Sequence, residues 1–151
     1  MQRTVWMGLA ACVLAWSAAR ADDLPEGVSV TPPDAIKWQR SASGRDIAYI
    51  LGRPDRPGPY LYLVKWPPYS KERAHMHPDA RYGVVLSGKH YIGYGDHFDE
   101  AKLHADGPGT MFTEPARTSH FGMTKEEGAV LYFYGTGPSA IIPVENSESA
   151  R

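Results

Sequence analysis

Through residues 35–145, apolar and polar side chains alternate in short runs bounded by turn residues, with no sustained helical spacing. Alternation puts successive side chains on opposite faces of a strand. It predicts strands over residues 46–51, 60–66, 82–86, 90–94, 110–112, 129–134 and 141–144. The punctuation between them, "GRPDRPGP", "WPPYS", "LSGK", "DGPG" and "GTGPS", is dense in Gly and Pro. Short strands at this density predict an all-β sandwich or barrel. The one stretch with helical character, "DHFDEAKLHA" at 96–105, is expected to be a turn of helix inside a loop.

The two ends do not follow this pattern. Residues 1–21 carry an early Arg3, an apolar run over 5–16 and the small-x-small sequence Ala19-Arg20-Ala21, so they read as a signal peptide cleaved after Ala21. The run is too short for a spanning helix, which needs about 20 apolar residues, and no stable membrane anchor is expected after cleavage. Residues 22–34 are acidic, Pro-rich and aperiodic and read as a flexible leader, and 146–151 as a flexible C-terminal tail. One domain is therefore expected over 35–145, in a periplasmic or secreted protein.

Composition narrows the chemistry. The chain of 151 residues has 16 basic and 17 acidic residues, and losing Arg3 and Arg20 with the leader leaves the mature chain net acidic. There is no basic footprint for nucleic acid. Cys12, the single cysteine, lies in the leader, so the mature chain has no disulfide, thiolate ligand or cysteine nucleophile. Any metal must be held by nitrogen and oxygen.

Nitrogen ligands are available in "HMHPDARYGVVLSG", residues 75–88. If this stretch is extended, His75 and His77 share a face, and Pro78 favours extension at His77. Two neutral imidazoles side by side suit Zn, Fe, Ni or Cu. An isolated H-x-H is weak evidence, and a second stretch strengthens it. "GTMFTEPARTSH", residues 109–120, runs from a Gly through a short strand and a Pro turn to His120.

Together the two stretches resemble the cupin family, with motifs G(x)5HxH(x)3-4E(x)6G and G(x)5PxG(x)2H. His75, His77 and Gly88 match the first, and Gly109, Pro115 and His120 the second. The resemblance implies a single-domain cupin-type β-barrel, a jelly-roll or double-stranded β-helix. It also implies a divalent metal (Fe, Mn, Zn or Ni) on His75, His77 and His120, and it favours a homodimer made through strand edges. Three positions depart from the pattern: Arg81 stands at the motif's Glu, Arg117 at the second motif's internal Gly, and no Gly precedes His75 in 65–74.

Arg81 matters most, because a guanidinium has no lone pair to give a metal. Three histidines then remain, which is enough for a catalytic-type site. Arg81 either contacts an anionic ligand or pairs with Asp79 or Glu114. Glu114, just before Pro115, is a further source of a carboxylate, ranked below the three-histidine arrangement. Tyr91 and Phe121 are expected beside the site, with Arg81, as contacts for a small-molecule ligand. His90 reads as a partly buried strand residue, and His97 and His104 as solvated.

Two functions are compatible with these residues. One is a metal-dependent enzyme (oxygenase, isomerase or hydrolase) acting on a small anionic molecule, dioxygenase-like with iron or working through activated water with zinc. The other is a non-catalytic module that binds a small ligand or metal.

Overall fold

The computed structural model describes residues 24–144; the expected signal peptide and C-terminal tail lie outside them. Residues 24–32 are largely exposed and hold a turn in which the Val28 N–H donates to the Pro25 carbonyl. From residue 33 onward the described chain forms a single unit. It contains nine strands: β1 (Gln39–Arg40), β2 (Asp46–Leu51), β3 (Gly58–Trp66), β4 (Lys71–Met76), β5 (Arg81–Tyr94), β6 (His104–Asp106), β7 (Met111–Glu114), β8 (His120–Gly137) and β9 (Ile142–Pro143). All pairings are antiparallel, in the order β1-β2-β3-β8-β4-β9, with β5 joined to β6, β7 and β8. The sheet folds over as a jelly roll without closing into a complete barrel.

The centre of the fold is the β5–β8 ribbon, in which Arg81–Val85 pair with Leu131–Gly135 and His90–Tyr94 with His120–Thr124. The alternation pattern divides β5 at Gly88 and marks only residues 129–134 of β8. In the structure β5 runs through Gly88 and β8 through Gly128, and the β5–β8 register shifts between Val85 and Ser87 and again between Gly88 and His90. The shifts invert which alternate residues face inward. Arg81, Gly83 and Val85 are buried in the first half of β5, but His90 and Ile92 in the second. Ala129, Leu131 and Phe133 are buried in the second half of β8, whereas His120, Gly122 and Thr124 are buried in the first.

The apolar core follows this change of parity. Val64, Trp66, Val85, Ile92, Phe112, Ala129, Leu131 and Phe133 form one buried cluster between the layers. Phe133 stacks on Tyr62 with centroids 5.3 Å apart and meets Phe112 edge-on at 5.7 Å. Apolar burial of this kind contributes roughly 1.5–3 kcal/mol per large side chain and fixes the register. The predicted helical turn is a single 3-10 turn, Glu100–Lys102, N-capped by the Asp99 side chain. β4, which the alternation pattern did not mark as a strand, pairs with both β8 and β9.

Candidate metal centre

β4 and β8 bring the histidines together. His75 lies directly across from His120 in the ladder, and His77 follows one residue beyond β4. All three are buried, and one ligand nitrogen of each lies within 4.8 Å of the others. Each Nδ1 contacts a backbone carbonyl: His75 to Arg73 at 2.9 Å, His77 to Ala140 at 2.7 Å, His120 to Thr118 at 3.0 Å. A carbonyl only accepts, so each Nδ1 carries a proton and Nε2 is the nitrogen left to serve as ligand. The Nε2 atom of His77 is buried without a hydrogen-bond partner, and that of His120 faces the Glu114 carboxylate. Three convergent buried imidazoles oriented through Nδ1, one of them with an orphaned Nε2, fit a divalent cation, which would take the place of any proton on His120.

The backbone that presents His120 is held to that of His77. The Arg117 N–H donates to the His77 carbonyl at 2.8 Å, and Arg117 sits at φ +58°. The position therefore keeps the left-handed conformation that suits the motif's glycine, although an arginine occupies it.

Arg81 and Glu114 face each other across β5 and β7. Arg81 donates through both Nε (2.8 Å) and Nη2 to Glu114 Oε2, and through Nη1 to the Tyr62 hydroxyl (3.1 Å). Glu114 is 4% exposed and Arg81 9%. Glu114 Oε2 also lies 3.3 Å from His120 Nε2 and 3.9 Å from His77 Nε2. A buried carboxylate thus lies beside the histidines, on the strand that pairs with that of Arg81. Burial alone would raise the Glu114 pKa, but the Arg81 charge and the hydrogen bonds of His120 and Arg81 outweigh it and hold Glu114 ionised.

The histidines divide accordingly. Burial lowers His77 to about 3, with the Arg81 charge acting in the same direction. Burial also lowers His75. For His120 burial works downward too, but the Glu114 hydrogen bond and charge prevail, and its pKa is raised.

These groups line a cavity of about 110 Å³ that also reaches Tyr62, Trp66, Arg45, Glu72 and His90. Of the residues expected beside it, Arg81 and Phe121 are in the lining. Phe121 packs its ring against Phe98, 5.2 Å away, and over Gly93. Tyr91 is not in the lining: His90 and Ile92 face inward on β5, and the intervening Tyr91 ring lies 4.9 Å from the Lys125 ammonium. His90 is 3% exposed, edge-on to Trp66, and burial lowers it to about 4. His97 and His104 are exposed. Sequence reasoning did not single out Arg45 or Glu72. The signal for them lies in three-dimensional proximity, since 27 residues separate them along the chain.

No family model and no curated protein matches the sequence. Solved structures do match. The polyketide cyclase RemF from Streptomyces resistomycificus is 16% identical, with a TM-score of 0.68 over 80% of this chain and 88% of that one. An RmlC-like cupin from Shewanella frigidimarina is 13% identical, with a TM-score of 0.58 over 75% and 93%. A sugar phosphate isomerase of the cupin superfamily from Silicibacter pomeroyi is 18% identical, with a TM-score of 0.59 over 72% and 76%. At these identities the likeness is one of fold.

Proposed function

We propose that this chain, which has the cupin fold, is a metal-dependent enzyme acting on a small molecule at His75, His77 and His120. The observation that carries the reading is the set of three buried imidazoles whose Nδ1 protons are fixed on carbonyls while the free nitrogens converge. A divalent ion held there supplies Lewis acidity toward a small anionic ligand. The protein's own groups set the charge around it. Glu114 places a permanent negative charge beside His120 and His77, and Arg81 keeps that carboxylate in position and ionised. Solved proteins of the same fold include a polyketide cyclase and a sugar phosphate isomerase, which supports small-molecule chemistry without naming a substrate.

Two expectations from the sequence join this reading. Export to the periplasm or beyond rests on the leader at 1–21. A homodimer is consistent with the apolar outer surface of β5, β7 and β8, where Tyr82, Met111 and Tyr134 are exposed.

Elemental analysis of the protein purified without chelator tests the metal reading. We expect close to one divalent ion per chain, lost in His75→Ala and His120→Ala. Glu114→Gln, which leaves Arg81 buried without its partner and so is compared at a temperature where circular dichroism shows it folded, should bind the ion about 10–100-fold more weakly, the usual cost of removing a supporting carboxylate. A chain that folds and takes up no stoichiometric metal on reconstitution with Zn, Fe, Mn or Ni overturns the reading.

A further inference from the structure

The cavity does not end at the histidines. Along the inward face of β8, His120 opposite His75 is followed by Gly122, paired with Glu72 and Ile92, and then by Thr124, paired with His90. At a rise of about 3.4 Å per residue, the Gly122 level lies roughly 7 Å from the His120 level. Gly122 leaves the passage open: a Cβ there would come within 3.0 Å of His90 Nε2 and 3.5 Å of the Trp66 ring.

The far end is built from Arg45, Glu72, His90 and Trp66, all in the cavity lining. Arg45 is 8% exposed and its guanidinium lies 3.5 Å over the centre of the Trp66 ring. Its Nη1 donates to Glu72 Oε1 at 2.6 Å. Arg45 Nε and His90 Nδ1 are both buried without a hydrogen-bond partner. Buried polar atoms are seldom left unpaired, so two at one end of one cavity point to a polar group that binds there.

The charge of this end identifies that group. Arg45 and Glu72 neutralise each other, just as Arg81 and Glu114 do nearer the histidines. The charge of each arginine is already met by a carboxylate, so neither favours a second anion. The far end instead offers N–H donors, carboxylate acceptors and an imidazole, with no net charge. That set matches a hydroxyl, which donates and accepts at once.

We infer that the Arg45–Glu72–His90 end recognises a neutral hydroxyl group of the ligand, roughly 7 Å from the group that engages the histidines. This rests on the metal reading and deepens it: the substrate class is a small hydroxylated molecule that engages the metal at one end, for which a carboxylate is the probe, and carries a hydroxyl at the other. Sites made to bond a hydroxyl discriminate strongly against analogues lacking it, because their buried polar groups are then left unpaired.

The test is NMR titration of the zinc-reconstituted full chain with 5-hydroxypentanoate and with hexanoate, which replaces the hydroxyl by a methyl. The Arg45 Nε–H and His90 ring signals are expected to shift with the hydroxy acid and not with hexanoate. The hydroxy acid should bind at least about tenfold tighter, although the apolar walls favour hexanoate. The preference should vanish in Glu72→Gln and in His90→Phe, whose ring can rest between Trp66 and Phe112; circular dichroism checks that each variant is folded. Equal affinities in the unmutated protein, or a preference that survives both variants, overturns the inference. The ring signals of His75, His77 and His120 report separately on zinc. If they respond while Arg45 and His90 do not discriminate, this inference fails and the metal reading stands. If they ignore zinc, the metal reading fails, and the Arg45 and His90 signals still decide for or against hydroxyl recognition.

Discussion

Glu114 carries the buried negative charge beside the histidines, and it cannot be understood apart from Arg81. At 4% exposure a carboxylate is costly unless paired, and Arg81 meets it with two donors while giving a third to Tyr62. Removing one partner of such a pair costs about 3–5 kcal/mol, because the other charge stays buried and uncompensated. We therefore expect Arg81→Met to lower the stability of the metal-free protein by about that much in urea denaturation. The exchange Arg81→Glu with Glu114→Arg should recover most of the loss, since the positions are direct cross-strand partners. A single variant costing under about 1 kcal/mol, as an exposed ion pair would, contradicts this account. The exchange also returns the carboxylate to the strand where the motif has it, which tests whether the sequence's most conspicuous departure is a transposition across β5 and β7.

At the level of the strands, the fold depends on how β5 and β8 cross their central glycines. Gly88 has φ +72°, and a Cβ there would lie 2.2 Å from the Gly128 carbonyl oxygen. Gly109 has φ +86° with open space around it. Gly109→Ala should cost about 1–2 kcal/mol, the conformational term alone. Gly88→Ala should cost at least about 2 kcal/mol more, because the backbone contact cannot relax without moving the register shift. Equal losses by thermal denaturation would mean that the close approach is not essential. The same crossing explains what could and could not be read from the sequence. His75 and His77 were legible as a pair on one strand face, His120 only through the resemblance of residues 109–120 to the second cupin motif, and most strand segments from their alternation. The continuity of β5 was not, because "LSGK" signals a turn locally, and the first half of β8 was not marked as a strand; only the partner strand shows that the pairing runs through both. Tyr91 was expected at the site although alternation turns it away from His90 and Ile92, and Arg45 was missed because its place beside Trp66 depends on the pairing of β2 with β3.

For the whole molecule, the buried histidines make stability a function of pH. His90 falls to about 4 and His77 to about 3, both through burial, from an ordinary value of 6.5. Each is neutral when folded and takes a proton more readily when unfolded. Their contribution is therefore complete above about pH 6.5 and is lost as pH falls toward 4 and then 3. His75, also lowered by burial, acts in the same direction. His120 acts in the opposite one: its folded pKa is raised, so its contribution is present below 6.5 and fades as pH rises through the folded value. The metal-free protein should therefore lose stability from about pH 6.5 toward pH 4, with a slope of about two protons per unit of pH from His77 and His90 and a further part from His75, while the opposing effect of His120 is confined to pH above 6.5. Divalent metal adds to this dependence, because it binds only neutral imidazole and stabilises in proportion to its affinity. Urea midpoints across this range, with and without zinc, should diverge most near pH 7 and converge near pH 4. A midpoint independent of pH in the metal-free protein would mean that His77 and His90 are not held neutral by burial, and the electrostatic account of the whole cavity would fall with them.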